Sequence, residues 1–169
     1  MTEAGRAFTD GVRARLNHYA SRGAFRAFAP VPVTGSGPWR GTWSARWHHD
    51  RTVEFVADGR KRTITLKHIL TDVQRQSPLD GNLRTFVANL TGSKTPRHRR
   101  LGESRKAVRV TNRRGDVSIA LKADEGIDGQ TLTDRAVNLG HQIYTVFLRE
   151  GGYDAYLLES LDLDLDAYL

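Results

Sequence analysis

The spacing of apolar positions predicts two helices in the first ninety residues. Residues 8–20 place Phe8, Val12, Leu16 and Tyr19 on one helical face, with Thr9 or Asp10 as the N-cap. A second helix is predicted to begin near Ser77 or Asp80, because Pro78 suits a first turn and apolar residues follow at helical spacing.

A third helix is predicted after Asp128-Gly129. Thr131 and Asp134 resemble a capping box, with Asp in place of the usual Glu or Gln. An apolar face from Leu132 to Phe147 follows, and Gly151-Gly152 is expected to end the helix.

Alternating apolar and polar residues predict three strands between the first two helices. Trp39, Trp43 and Trp47 share one parity, so a strand over residues 39–47 places them on one face. They are expected to form the core, and the competing interpretation is a stacking platform for unpaired bases. Asp58-Gly59 lies between two β-prone runs, residues 52–57 and 60–66, and predicts a type I′ hairpin.

A second hairpin is predicted over residues 107–111 and 116–122, with a turn at residues 112–115. Helices separated by hairpins indicate an α+β fold, an antiparallel sheet of about five strands with helices packed on it. The expected order is helix, three strands, helix, two strands, helix.

Residues 107–147 are similar to the type III secretion chaperone-like fold. The likeness lies in the order of Val108-Arg-Val, Arg114-Gly-Asp-Val-Ser-Ile, Gly129-Gln-Thr-Leu and Leu139, which gives strand, glycine turn, strand and helix. The resemblance implies binding of protein partners, usually as a dimer. Members of that fold are typically acidic, whereas this chain has a net charge of +7.

Charge divides the 169-residue chain into two predicted parts. Residues 1–152 are expected to form one basic domain, since residues 1–150 hold 26 bases and 14 acids. Residues 153–169 form an acidic, leucine-rich tail with five acids and no Lys or Arg. The tail is a candidate docking segment, and the basic body favours polyanions.

Basic residues are densest between positions 94 and 114. Nine bases and one acid, Glu103, occupy these 21 residues, and a second basic group is expected at the first hairpin's tip. Both groups are predicted to contact phosphates. The predicted nucleic-acid-binding residues are Lys94, Arg97, Arg99, Arg100, Arg105, Lys106, Arg109, Arg113, Arg114, Arg60, Lys61 and Arg62. The competing interpretation is a solvated surface that maintains solubility.

Several classes of function find no support in the sequence. The chain has no cysteine, and its histidines lack the spacing of a zinc site, so neither metal nor cofactor is predicted. His48-His49-Asp50 is interpreted as a polar turn. No catalytic motif is present, and no catalytic residue is nominated. The absence of a signal peptide and of a long apolar run predicts a cytoplasmic protein without a membrane span.

Three functions remain open at this point. The first is a non-enzymatic binding module whose basic loops hold a polyanion, and DNA or RNA is the favoured ligand. The second is a protein-binding adaptor or chaperone-like homodimer that uses the acidic tail. The third is an enzyme with a pocket lined by the tryptophans.

Overall fold

A computed structural model describes residues 3–35 and 37–150. The predicted acidic tail, residues 153–169, and the predicted stop at Gly151-Gly152 lie outside the described residues. None of the described helices combines the length and the apolar character that a membrane-spanning helix requires.

The described residues form one six-stranded antiparallel sheet in the order β1-β2-β3-β4-β6-β5. The predicted α+β class is confirmed, with one strand more than the five expected. The added strand, β1, is short and lies at an edge, and its Pro30, with Pro32 just beyond, is typical of a loop. The strands are β1 (Ala27–Pro30), β2 (Arg40–Arg46), β3 (Thr52–Asp58), β4 (Thr63–Leu70), β5 (Val108–Arg113) and β6 (Asp116–Lys122).

Three helices pack against one face of this sheet. They are α1 (Glu3–Ser21), α2 (Pro78–Ala88) and α3 (Gly129–Gln142), and α3 continues through a π-helical turn, Ile143–Phe147, into α4 (Leu148–Glu150). Leu16, Leu83 and Leu132 represent the three helices in the core and are fully buried. Apolar residues with period two in the strands and 3.6 in the helices therefore meet in a single layer.

Trp43 and Trp47 belong to this core, as the strand parity predicts, with 3% and 5% of their surface exposed. Trp39 lies just before β2 and is only half-buried. The guanidinium carbon of Arg60 lies 3.8 Å from the centre of the Trp39 ring, a cation–π contact.

The type I′ turn occurs in the other hairpin. Residues 59–62 join β3 to β4 as a four-residue connection, in which Arg62 has φ +55°. Arg114 and Gly115, with φ +52° and +92°, form the two-residue turn between β5 and β6. Both central residues of a type I′ turn need positive φ, which Arg114 and Gly115 satisfy and Asp58-Gly59 does not.

Two of the predicted helix caps are wrong. Helix α1 begins at Glu3, and Thr9 is a buried interior residue whose hydroxyl donates to the carbonyl of Trp39. Asp128 caps α3 by accepting the Thr131 N–H at 2.8 Å, so Thr131 is not the cap. The prediction at α2 is confirmed, since the Ser77 hydroxyl accepts the Asp80 N–H and Pro78 opens the helix.

The other face of the sheet, here called the open face, is not covered by any described element. In β2, β3 and β6, none of the residues that project from the open face is buried, whereas most of the alternate residues, which face the helices, are buried. Its middle carries small side chains, such as Thr42, Thr65, Ser118 and Ala120, and Lys and Arg lie nearer its margins. A half-solvated antiparallel sheet shows this alternation.

Candidate nucleic-acid interface

A basic groove of about 660 Å³ lies at one end of the open face. Its floor contains Thr65 and Ala120 from two adjacent central strands. No acidic side chain is among its lining residues. Its cationic residues are Arg60, Lys61, Arg62, Lys106, Arg109 and Lys122, and these six define the groove below.

Strand order brings these bases together from distant parts of the chain. Lys122 lies opposite Thr63 across the β4–β6 pair, and Ala120 lies between Thr65 on β4 and Arg109 on β5. Residues opposite each other in an antiparallel pair project from the same face. The tip of the β3–β4 hairpin therefore lies beside the start of β5.

The hairpin tip is held by short-range contacts. The Asp58 carboxylate accepts the N–H groups of Arg60 and Lys61 at 3.0 and 3.1 Å. The Arg62 guanidinium donates to the carbonyl of Ile127. Lys61 is exposed and takes part in no ion pair within the described residues. These contacts hold the hairpin tip in place and leave Lys61 exposed to solvent.

The opposite wall is a 3₁₀ turn, Arg105–Ala107, that leads into β5. Ser104 caps it by accepting the Lys106 N–H at 3.3 Å, and Ala107 is buried beneath it. Lys106, Arg109 and Lys122 are exposed, and no described acid forms an ion pair with them. Asp58 is aligned with Lys122 across the sheet, with Thr63 between them. Its carboxylate lies 3.8 Å from the guanidinium of Arg40.

The remaining predicted phosphate contacts lie elsewhere. Lys94, Arg97 and Arg99 are exposed on the loop between α2 and β5, whereas Arg113 and Arg114 are exposed at the β5–β6 turn. These two sit at the opposite end of β5 from the groove. Arg105 is exposed on the 3₁₀ turn but does not line the groove. The structure thus gathers five of the twelve predicted residues: Arg60, Lys61, Arg62, Lys106 and Arg109.

Arg100 has a structural environment that differs from the rest. Only 15% of its side chain is exposed, and its guanidinium donates to the carbonyl of Thr95 at 3.0 Å. It also pairs with Glu103 at 3.4 Å. These contacts use the donors that a phosphate would need, so Arg100 organises the loop.

Lys122 is the groove residue that sequence reasoning missed. It lies outside the dense basic run at residues 94–114, and a search for local density of bases does not find it. The alternation of apolar and polar residues in the predicted strand 116–122 could have found it. Lys122 shares the parity of Ser118 and Ala120 and therefore lies on the face opposite the core.

A second cleft, here called the histidine cleft, lies on the helix side. It has a volume of about 700 Å³ and collects His48, His98 and His141, which are far apart in the chain. Arg97 is the one predicted phosphate contact that lines it. Among the described residues, no three His, Asp or Glu side chains come together as a metal-binding group.

No protein-family model, curated protein or solved structure matches this chain. The likeness to the type III secretion chaperone-like fold therefore stays a prediction.

Proposed function

We propose that this protein is a non-enzymatic binding module that holds nucleic acid in the basic groove through the phosphate backbone. Six cationic side chains line the groove without an acid among them. Lys and Arg that neutralise phosphates release condensed counterions, which supplies affinity without reading sequence. The groove accordingly holds DNA or RNA by charge and shape.

One observation carries this proposal. Two basic groups that are separated in sequence, at residues 60–62 and 106–109, meet across β4, β6 and β5, and their cations remain outside the described ion pairs. A surface that only maintains solubility needs scattered charge of both signs. Convergence of one sign on a concave floor favours a polyanionic ligand.

The chemistry of the open face also indicates how the nucleic acid is held. Among the described strands, this face carries no Phe, Tyr or Trp; its centre carries Thr, Ser, Val and Ala, with Glu54 opposite Lys67. Proteins that hold unpaired bases commonly stack them on aromatic side chains. The groove therefore favours a duplex, contacted along its phosphates, over a single strand with splayed bases.

Fluorescence anisotropy with labelled duplex DNA, duplex RNA and single-stranded DNA tests the proposal across a salt series. Lys106→Ala, Arg109→Ala and Lys122→Ala combined should weaken binding to the preferred duplex by more than about tenfold at low salt. The slope of log K against log salt should become shallower by roughly 0.9 for each phosphate that the variant no longer neutralises.

The matched control combines Arg99→Ala, Arg113→Ala and Arg114→Ala. It removes the same charge from exposed sites outside the groove. Equally weakened binding in the two triple variants would mean that net charge alone drives it. No binding of any of the three nucleic acids at low salt would refute the function itself.

A further inference from the structure

The histidine cleft lies on the opposite side of the sheet from the basic groove, and nothing in the proposed function uses it. Its walls come from α1, α3, the 3₁₀ turn at His48–Asp50 and the loop between α2 and β5. Half of the chain's six histidines, His48, His98 and His141, line it. Such a convergence is unrelated to local sequence spacing.

Specific contacts hold the walls in place. The Asn138 side-chain amide donates to the carbonyl of His98 at 3.0 Å, and the Arg135 guanidinium donates to that of Leu101 at 3.3 Å. His48 Nε2 and His141 Nδ1 are 3.0 Å apart, which joins the 3₁₀ turn to α3. The loop that carries Arg97 and His98 is therefore fixed against α3.

The acid at the cleft is already matched. The Asp134 carboxylate accepts from Arg15 Nε at 2.7 Å and from the Tyr19 hydroxyl at 2.6 Å. Arg135 lies 3.7 Å from Asp124, which partly balances its charge. What remains is the exposed guanidinium of Arg97, which has no ion pair within the described residues, and the exposed imidazole of His98. The exposed imidazole of His141 lies at the same cleft and contacts His48 through Nδ1.

The floor of the cleft is apolar. Trp47 and Val137, which are 5% and 8% exposed, contribute to it together with the half-buried Ala24. An apolar floor with a few convergent polar groups at the rim is typical of small-molecule sites. The Arg97 guanidinium at the rim selects the charge of the ligand, and the apolar floor selects its body.

We propose that the histidine cleft binds a small organic anion: a phosphate or carboxylate group carried on a compact apolar body such as a phenyl ring. The anionic group lies at Arg97 and the imidazoles of His98 and His141, and the ring lies on Trp47 and Val137. This site is independent of nucleic-acid binding in the basic groove.

NMR titration of the ¹⁵N-labelled full chain tests this with four probes. Phenyl phosphate and benzoate carry ring and charge, inorganic phosphate carries charge alone, and benzyl alcohol carries the ring alone. We expect a ring-bearing anion to shift the amides of Asn138 and His141 and to bind at least about tenfold tighter than either partial probe. The two anions then distinguish a phosphate ligand from a carboxylate ligand.

Arg97→Ala should weaken binding of the better anion by about tenfold, because it removes a hydrogen bond to a charged group. Arg99→Ala is the matched control, with the same charge removed from the same loop but outside the cleft. His98→Ala is a second variant that should also weaken binding of the better anion. Its exposed side chain forms no hydrogen bond or ion pair within the described residues that the substitution would break.

Three results would overturn the proposal. They are shifts that map away from the cleft, equally weakened binding in Arg97→Ala and Arg99→Ala, and no binding of either ring-bearing anion. Reduced nucleic-acid binding in the groove variants has no bearing on these outcomes, so the two proposals fail separately.

Discussion

The helix side of the sheet and the basic groove on its other face differ in how their charges are matched. On the helix side, Asp134 pairs with Arg15 at 2.7 Å, and Asp80 pairs with Arg84 at 3.3 Å. On the open face, the cations of the basic groove lie together without a described acid in an ion pair with them. Charges of one sign held close together repel, so an unmatched groove reduces stability until a ligand neutralises it.

This difference separates residues that stabilise the fold from residues available for binding. Charges that are matched within the protein are already satisfied, and they position helices or loops. Among the unmatched charges that converge on the groove, Arg60 and Arg62 also contact Trp39 and Ile127. The remaining four, Lys61, Lys106, Arg109 and Lys122, are exposed and form no ion pair within the described residues. The helix face of the sheet thus carries the core packing, whereas the cations of the basic groove on the other face are available for ligand contacts.

Adjacent residues of β4 give the largest contrast. Leu66 faces the helices and is fully buried, whereas Thr65 lies on the groove floor and is only half-buried. Leu66→Ala should lower the free energy of unfolding by roughly 2–5 kcal/mol, because it leaves a cavity in a packed core. Thr65→Ala should lower it by less than about 1 kcal/mol. Chemical denaturation measures both, and similar decreases would show that the open face is covered in solution.

The N-cap of α3 provides the next largest effect. Asp128→Ala should lower the free energy of unfolding by about 1 kcal/mol, since the Thr131 N–H loses its acceptor. Thr131→Ala keeps the main capping bond, from the Thr131 N–H to Asp128, and loses only the weaker contact of the Thr131 hydroxyl. It should therefore cost less, and it is the comparison variant because the sequence-based capping box would require that hydroxyl. A larger decrease in Thr131→Ala than in Asp128→Ala would restore that box.

The contribution of Asp128 should also depend on pH with a defined sign. Hydrogen bonding from Thr131 lowers the pKa of Asp128 below its ordinary value of 3.8. A lowered folded-state pKa gives stability that is present above the ordinary pKa and is lost as pH falls through the folded value. The difference between wild type and Asp128→Ala should therefore shrink in acid and stay constant near neutral pH.

Most of the fold could be predicted because its determinants are local. The bounds of β6, Asp116 to Lys122, follow from strict alternation, and the start of α2 follows from Ser77 and Pro78. The type I′ turn was misplaced because Asp-Gly is a strong local signal. At this position the glycine instead serves a tertiary contact. Gly59 lies against Gly5 of α1, so closely that a side chain at position 59 would clash with the Gly5 carbonyl.

The candidate site could be predicted only in part. Clusters along the chain identified Arg60 to Arg62 and the run that contains Lys106 and Arg109. Which of these bases meet depends on the order of strands across the sheet, and no local pattern encodes it. The histidine cleft was missed for the same reason, since His48 and His141 come from a strand end and a helix end.

A smaller effect concerns the stability of the groove itself. Lys106→Gln, Arg109→Gln and Lys122→Gln combined should raise the free energy of unfolding by a few tenths of a kcal/mol at low salt, by removing repulsion. The gain should disappear at about 1 M salt, where the Debye length is about 3 Å. Thermal denaturation at both salt concentrations measures it. A decrease in stability at low salt would mean that these cations already pair with acids of the protein.

The last effect is absent at neutral pH, because it is confined to alkaline pH, and it concerns the matched side of the comparison. Burial, together with the hydrogen bond to Asp134, raises the pKa of Tyr19 to about 12 from an ordinary value of 10.0. A raised folded-state pKa means that the associated stability is complete below the ordinary pKa and is lost as pH rises toward the folded value. Tyr19→Phe should therefore flatten the fall in stability between about pH 10 and 12. Subtracting its absorbance titration near 295 nm from that of the wild type should isolate one phenol that ionises late. A difference curve centred near pH 10 would show that the Tyr19–Asp134 contact does not persist in solution. The charges on the helix side of the sheet would then be less closely paired than the ion pairs of the structure indicate.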